Sequence, residues 1–247
     1  MTDDVLPFVV LGLVVVATLV LVAAVAWSLG VLRQPRALVQ SGHWREAGIA
    51  AERLRNSWLR IFPSVRDEAA HARAACLHLE GKLEESLAAL RTLRGGGGRG
   101  RGHLADAIAL LEGANLVMVG GDAHLAVARL TTACGSPRSS PEDLVFLALA
   151  KHGAGDLAGA ESTFAEAPLA RPKGAPSPRI YEPAFHYLRG LYLMKTGRPE
   201  EAAADLEAAA ASPITTIYVE RARALSPRAS ADDGDGRASL APQVIDE

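Results

Sequence analysis

The sequence predicts an all-α chain: an N-terminal single transmembrane helix over residues 1–32, an α-solenoid of antiparallel helix pairs over 33–225, and a disordered acidic tail over 226–247. Three observations carry that expectation. No charged side chain occurs from Val5 to Leu32. Beyond Arg33, apolar residues recur at i, i+3, i+4 and i+7 in Ala- and Leu-rich segments broken by Gly or Pro, the periodicity of amphipathic helices. Aromatic residues make up only 5% of the chain, and the β-branched residues cluster in the apolar run, which argues against strands.

The first element is the apolar run. It exceeds the roughly 20 residues needed to cross a bilayer, so it is long enough to span with some tilt. A secretory signal peptide has a basic start and a shorter apolar core, whereas this chain begins Met-Thr-Asp-Asp. The reading is therefore an uncleaved anchor, with cleavage near Ala26 as the rival that would release a periplasmic binding module. Short segments rich in Lys and Arg resist translocation. Arg33, Arg36 and Arg45 follow the run and only Asp3 and Asp4 precede it. That asymmetry places the N-terminus outside and everything from Arg33 in the cytoplasm, at an inner (cytoplasmic) membrane. Cys76 and Cys134 fit that side as reduced thiols.

The next elements are helix pairs sharing one turn: a helix ending at Gly, a short polar step, then Ala about five residues later. Five glycines mark it: Gly42, Gly81, Gly121, Gly155 and Gly197, at intervals of 39, 40, 34 and 42 residues. Gly after a helix supplies the left-handed C′ conformation, and small residues let two helices cross closely. The last units are the most regular. One carries Leu147, Ala148, Gly155, Ala160, Phe164, Ala167 and Pro172; the other carries Gly190, Gly197, Ala202, Leu206, Ala209 and Pro213. The Gly121 unit has Ala114, Ala126, Leu130, Ala133 and Pro137. The Gly81 unit departs with Ser86 where Ala is expected, and the Gly42 unit has only a stub of first helix after Pro35. On these positions residues 35–213 resemble the tetratricopeptide repeat family, whose period is 34 residues.

Two insertions interrupt the pattern. Gly95 to Gly102, with Arg99 and Arg101, reads as a flexible linker, and Pro172 to Pro178 as a stiffer one. A helix from about Ile214 to Leu225 is expected to cap the solenoid, and the Gly-, Asp- and Ser-rich chain beyond Ser226 to be disordered.

Chemistry-bearing motifs are sparse. His71, Cys76 and His78 form the densest cluster of candidate ligands. At about 100° per residue Cys76 points away from the two histidines, and a structural zinc site needs four converging ligands. The Gly-rich linker lacks the Gly-Lys-Ser/Thr ending of a phosphate loop. No catalytic signature is present. The expectation is no metal, no cofactor and no enzymatic activity, with an enzyme on a helical scaffold as a further rival. A net charge of -2 gives no field for nucleic acid. Arg-dominated basic usage, with four Lys in all, and Ala richness fit a GC-rich bacterial source.

The resemblance implies a concave groove lined by the first helix of each pair, at positions ten, six and three before the turn glycine. Those positions are His71, Ala75 and His78; Leu111, Asn115 and Met118; Val145, Leu149 and His152; and Tyr187, Leu191 and Met194, with Lys195 beside them. Met, Tyr, His and Asn suit an adaptable peptide-binding surface. Among them only Asn115 resembles the clamp by which some family members grip a C-terminal carboxylate. The implied role is a membrane-tethered scaffold or adaptor holding a protein or peptide partner. Self-assembly through the anchor or the solenoid is the remaining alternative.

Overall fold

A computed structural model of the chain describes Thr18 and residues 34–35, 37–39, 41–95, 102–135, 139–167 and 181–226. The expected transmembrane segment lies outside these residues apart from Thr18, as do residues 96–101, the Pro172–Pro178 linker and the tail beyond Ser226. Among the described residues no helix is long and apolar enough to cross a membrane.

The described elements are all helical. After a helical turn at 37–39 come α1 (Trp44–Asn56), a 3₁₀ turn (Trp58–Ile61), α2 (Pro63–Leu79), α3 (Leu83–Gly95), α4 (Gly102–Val119) and α5 (Ala123–Cys134). They continue with α6 (Pro141–Gly153), α7 (Leu157–Glu166), α8 (Tyr181–Lys195), α9 (Pro199–Ala210) and α10 (Ile217–Leu225). Starts follow the local chemistry. Proline takes the first turn of α2, α6 and α9, where no backbone donor is needed. Asp122 and Asp156 cap α5 and α7 by accepting from Leu125 and Gly159 backbone N–H groups. Ser140 and Asp143 form a reciprocal capping box on α6.

Stops repeat one motif. Gly42, Gly81, Gly120, Gly155 and Gly197 all take positive φ, from 69° to 86°. At each, the glycine N–H donates to the carbonyl three residues back, and the next N–H reaches the carbonyl five back, as in Gly81 to His78 and Lys82 to Leu77. This satisfies carbonyls left open at the helix end. One expected turn glycine is thereby corrected: Gly120, not Gly121, is left-handed, because this turn holds one residue more before its second helix begins at Ala123. The intervals become 39, 39, 35 and 42.

The correction also moves the crossing point. Seven residues before each of the last four left-handed glycines stands a small residue: Ala74, Gly113, Ala148 and Gly190. A Cβ at Gly113 would lie 2.6 Å from Leu130 Cγ, and one at Gly190 would lie 2.8 Å from Leu206 Cγ. Gly113, not Ala114, therefore lets α4 and α5 approach.

Packing follows chain order. Pairs α2–α3, α4–α5, α6–α7 and α8–α9, each joined through a left-handed glycine, are in close contact, as are α1 with α2 and α3 with α4. The helices α2, α4, α6 and α8 also touch in succession, forming an inner row. The final helix begins at Ile217, three residues later than expected, and packs on α8, α9 and also α2. It is not a cap on the last pair alone: it returns from the C-terminal end to the N-terminal end across the inner row. The main core runs from Trp44 and Leu83 through Leu130, Val145, Leu188 and Leu206 to Tyr218 and Ala222.

Candidate functional site

The inner row meets α10 at a buried cluster. Residues 217, 218, 221 and 222 share one face of α10 by their spacing, and Ile214 lies in the bend that precedes its N-cap Thr216. Ile214 and Ile217 fill the space beside the turn glycines Gly42 and Gly81, at 3.2 and 3.4 Å from where a Cβ would stand. Trp44 of α1 donates its indole N–H to the Thr215 carbonyl at 3.0 Å. Tyr218 enters between three rings: His78 of α2 at 5.5 Å, Phe146 of α6 at 6.4 Å and Tyr187 of α8 at 5.9 Å between centroids. Arg221 donates to the Met118 carbonyl at 3.0 Å and so closes the open end of α4. Arg223 does the same for α9, through the carbonyls of Ala210 and Ser212.

A chain of hydrogen bonds threads this cluster. The Tyr218 hydroxyl meets His78 Nε2, and His78 Nδ1 meets Asn115 Oδ1 at 2.9 Å. Asn115 Nδ2 donates to Ser86 Oγ at 2.9 Å and to the Leu111 carbonyl at 2.8 Å. Ser86 Oγ in turn donates to the Ala74 carbonyl at 2.8 Å. Of the two neutral tautomers, only the one with its proton on Nδ1 satisfies both contacts of His78. Burial favours that form, lowering the His78 pKa to about 4; the Asn115 hydrogen bond opposes the shift and the Arg221 charge adds to it. Burial likewise raises the Tyr218 hydroxyl. Each proton is thus committed to a partner inside the fold, and the arrangement joins α10, α2, α4 and α3 without leaving a group free for acid–base work. Ser86, which stands where Ala is expected, is one of the two places where the bonds end on a backbone carbonyl, Asn115 being the other.

The expected groove residues divide into three sets. His78, Asn115 and Tyr187 converge under α10, and Met118 is buried beside them, its carbonyl held by Arg221. His71 and His152 are half-buried, His152 lying edge-on to Tyr192 at 6.2 Å. Met194 and Lys195 are exposed at the end of α8. Counting from Gly120 shifts the inferred α4 positions to Leu110, Ala114 and Val117. Asn115, one step round the helix, therefore faces α2 and α3. Sequence reasoning missed Tyr218, Arg221, Phe146 and the role of Ser86. The spacing Ile214, Ile217, Tyr218, Arg221, Ala222 was the available signal, since it repeats at helical period through the segment taken as a cap.

Both cysteines are unpaired. Cys76 is buried and donates to the Trp44 carbonyl at 3.2 Å, and burial pushes its thiol up to about 11. Cys134 is half-buried and pushed up to about 12 for the same reason. Neither has the lowered pKa of a nucleophile. Among the described residues no group of three or more His, Cys, Asp and Glu side chains is placed to hold a metal ion. No family model, no curated protein and no solved structure matches the chain.

Proposed function

We propose that this protein is a membrane-tethered interaction scaffold, a tetratricopeptide-like solenoid whose inner face takes a short amphipathic helix of a protein partner. The observation that carries this is α10 itself: a nine-residue helix seated on the inner row through Tyr218, with Arg221 on a helix-end carbonyl. That is helix-in-groove recognition, in which anchors recur at i, i+3, i+4 and i+7. The five matching glycine turns and the crossing glycines Gly113 and Gly190 support the repeat reading. The uncharged run from Val5 to Leu32 supports the anchor, and with it a cytoplasmic-face location at the inner membrane. Tethering would raise the effective concentration of the face toward neighbours in the same membrane. The protons of His78 and Ser86 are held by internal partners, which supports binding over catalysis.

A labelled peptide of residues 214–226 tests the groove. It should bind a full-length variant carrying Tyr218→Ala and Arg221→Ala, and bind the unaltered chain far more weakly, because there the site is filled in cis. Equal binding to both chains, or to neither, sinks the reading. Protease protection of the helical region in intact and opened cells tests the topology separately.

A further inference from the structure

Helix α1 and the turn into α2 carry a surface that the inner-face reading leaves unused. Of the eight large apolar residues most exposed among the described residues, four fall between positions 49 and 62: Ile49 at 56%, Trp58 at 56%, Ile61 at 70% and Phe62 at 47%. The density has a local cause. The 3₁₀ turn sends Leu59 inward to a small separate core with Leu54, Val65 and Ala69, so its neighbours Trp58 and Ile61 face outward. Trp58 and Phe62 meet edge to face at 6.2 Å, holding the corner as one body. Clustered apolar side chains of this kind mark a surface that meets something other than water.

Charge says what it meets. Between residues 41 and 68 five arginines, Arg45, Arg53, Arg55, Arg60 and Arg66, stand against Glu46, Glu52, Asp67 and Glu68, a local excess of +1 in a chain of net charge -2; Arg55 pairs with Glu52 and Arg66 with Asp67. All five are exposed. Arg45, Ile49 and Arg53 lie four residues apart and form one stripe along α1, beside an open depression of about 570 Å³ that Arg73, Glu52 and Glu80 also line, Arg73 pairing with Glu80. Trp and Phe with Arg around them is the composition of segments seated at the headgroup level of a bilayer, and four to eight clustered cations are what anionic lipids select. Position agrees, since α1 begins twelve residues after the uncharged run ends at Leu32.

We infer that the Trp58–Phe62 corner and the Arg45–Ile49–Arg53 stripe of α1 form a docking surface for an anionic membrane, which lays the helical domain against the bilayer. The seat does not depend on what the inner face binds.

The full chain, reconstituted in vesicles of phosphatidylcholine alone or mixed equally with phosphatidylglycerol, tests this by tryptophan fluorescence. The chain has three tryptophans, Trp27, Trp44 and Trp58, so subtracting a Trp58→Phe variant isolates the third; its circular dichroism checks the fold. In the anionic vesicles Trp58 emission should shift to the blue, be quenched by brominated lipid and be shielded from acrylamide. Replacing Arg53 and Arg60 by Gln should lower the ratio of seated to free corner by about thirtyfold, and raised salt should act in the same direction. Trp58 that stays open to acrylamide in anionic vesicles overturns the inference; that result is expected if a protein covers the corner. Quenching equal in both vesicle types and indifferent to the arginines overturns the anionic part.

Discussion

Two aromatic clusters built from similar residues have opposite fates. At the inner row Tyr218, Tyr187, Phe146 and His78 are buried, and the Tyr218 hydroxyl has a partner. At the first corner Trp58 and Phe62 lie open with Ile61. The difference follows from stacking. Helices laid in a row cover each other's sides; the inner face here is covered by α10, whereas among the described residues the corner between α1 and α2 meets no later helix. An aromatic ring contributes through the area it removes from water, so removing Tyr218 should have the largest effect. Tyr218→Ala is expected to cost about 3–5 kcal/mol, the range for truncating a buried large ring, measured by chemical denaturation. Hydrogen exchange over 217–225 should rise with it.

The polar chain under Tyr218 sharpens the contrast, because it makes the buried cluster specific as well as apolar. Asn115→Ala would strip His78 Nδ1 and Ser86 Oγ of a partner in a fully buried place, and leaving buried polar groups unpaired costs about 1–3 kcal/mol. Tyr218→Phe removes only the hydroxyl at the other end. A double-mutant cycle of the two should show coupling of about 0.5–3 kcal/mol if the bonds act as one network. Additive effects would mean that His78 holds its position without them.

A third break lies in the backbone. At Gly113 an added methyl would stand 2.6 Å from Leu130 Cγ, itself fully buried. Gly113→Ala should cost about 1–3 kcal/mol by overpacking, followed by thermal unfolding. At Gly48 the nearest atom to such a methyl is Cys76 Cβ at 3.5 Å, ordinary contact, and Gly48→Ala should be tolerated or stabilising.

These positions show how far the sequence could be read. Helical class, four of the five left-handed glycines, the Gly190–Leu206 crossing and the placement of Ala148 and Ala160 follow from local rules of period and turn. The fifth turn was displaced because Gly120 and Gly121 are adjacent, and only the extra residue before Ala123 tells which one bends the chain. That single step turns the α4 positions by about 100°. The path of α10 was not legible, since a helix of that composition fits either the end or the inside of a stack, and the choice rests on contacts with Gly42 and Gly81 more than 130 residues away. The Ser86 departure was visible, but its reason, Asn115 on another helix, was not.

Acid should loosen the buried cluster in a defined window. His78 titrates near 6.5 when unfolded and at about 4 when folded. The unfolded chain therefore takes up the proton first, and stability is full above about 6.5 and lost as pH falls toward 4. Asp143 opposes this: burial raises its pKa to about 6, so it adds stability as pH falls from about 6 to its unfolded value near 3.8. The His78 part is isolated by comparing denaturation of the unaltered chain and of His78→Gln across that range. The difference between them should shrink on acidification; a constant difference would mean that His78 is not the group that resists protonation.

The smallest effect belongs to the open corner, and its smallness is the point. Ile61 is 70% exposed, so little of its side chain leaves water on folding and little is lost when it is shortened. Ile61→Ser should change stability in detergent by less than about 0.5 kcal/mol, the usual range for surface positions. The same substitution should weaken the seating of the corner on anionic vesicles, because there the isoleucine is the part that leaves water. A stability loss comparable to that of Tyr218→Ala would mean that the corner is covered within the fold, and the contrast between the two clusters would fail.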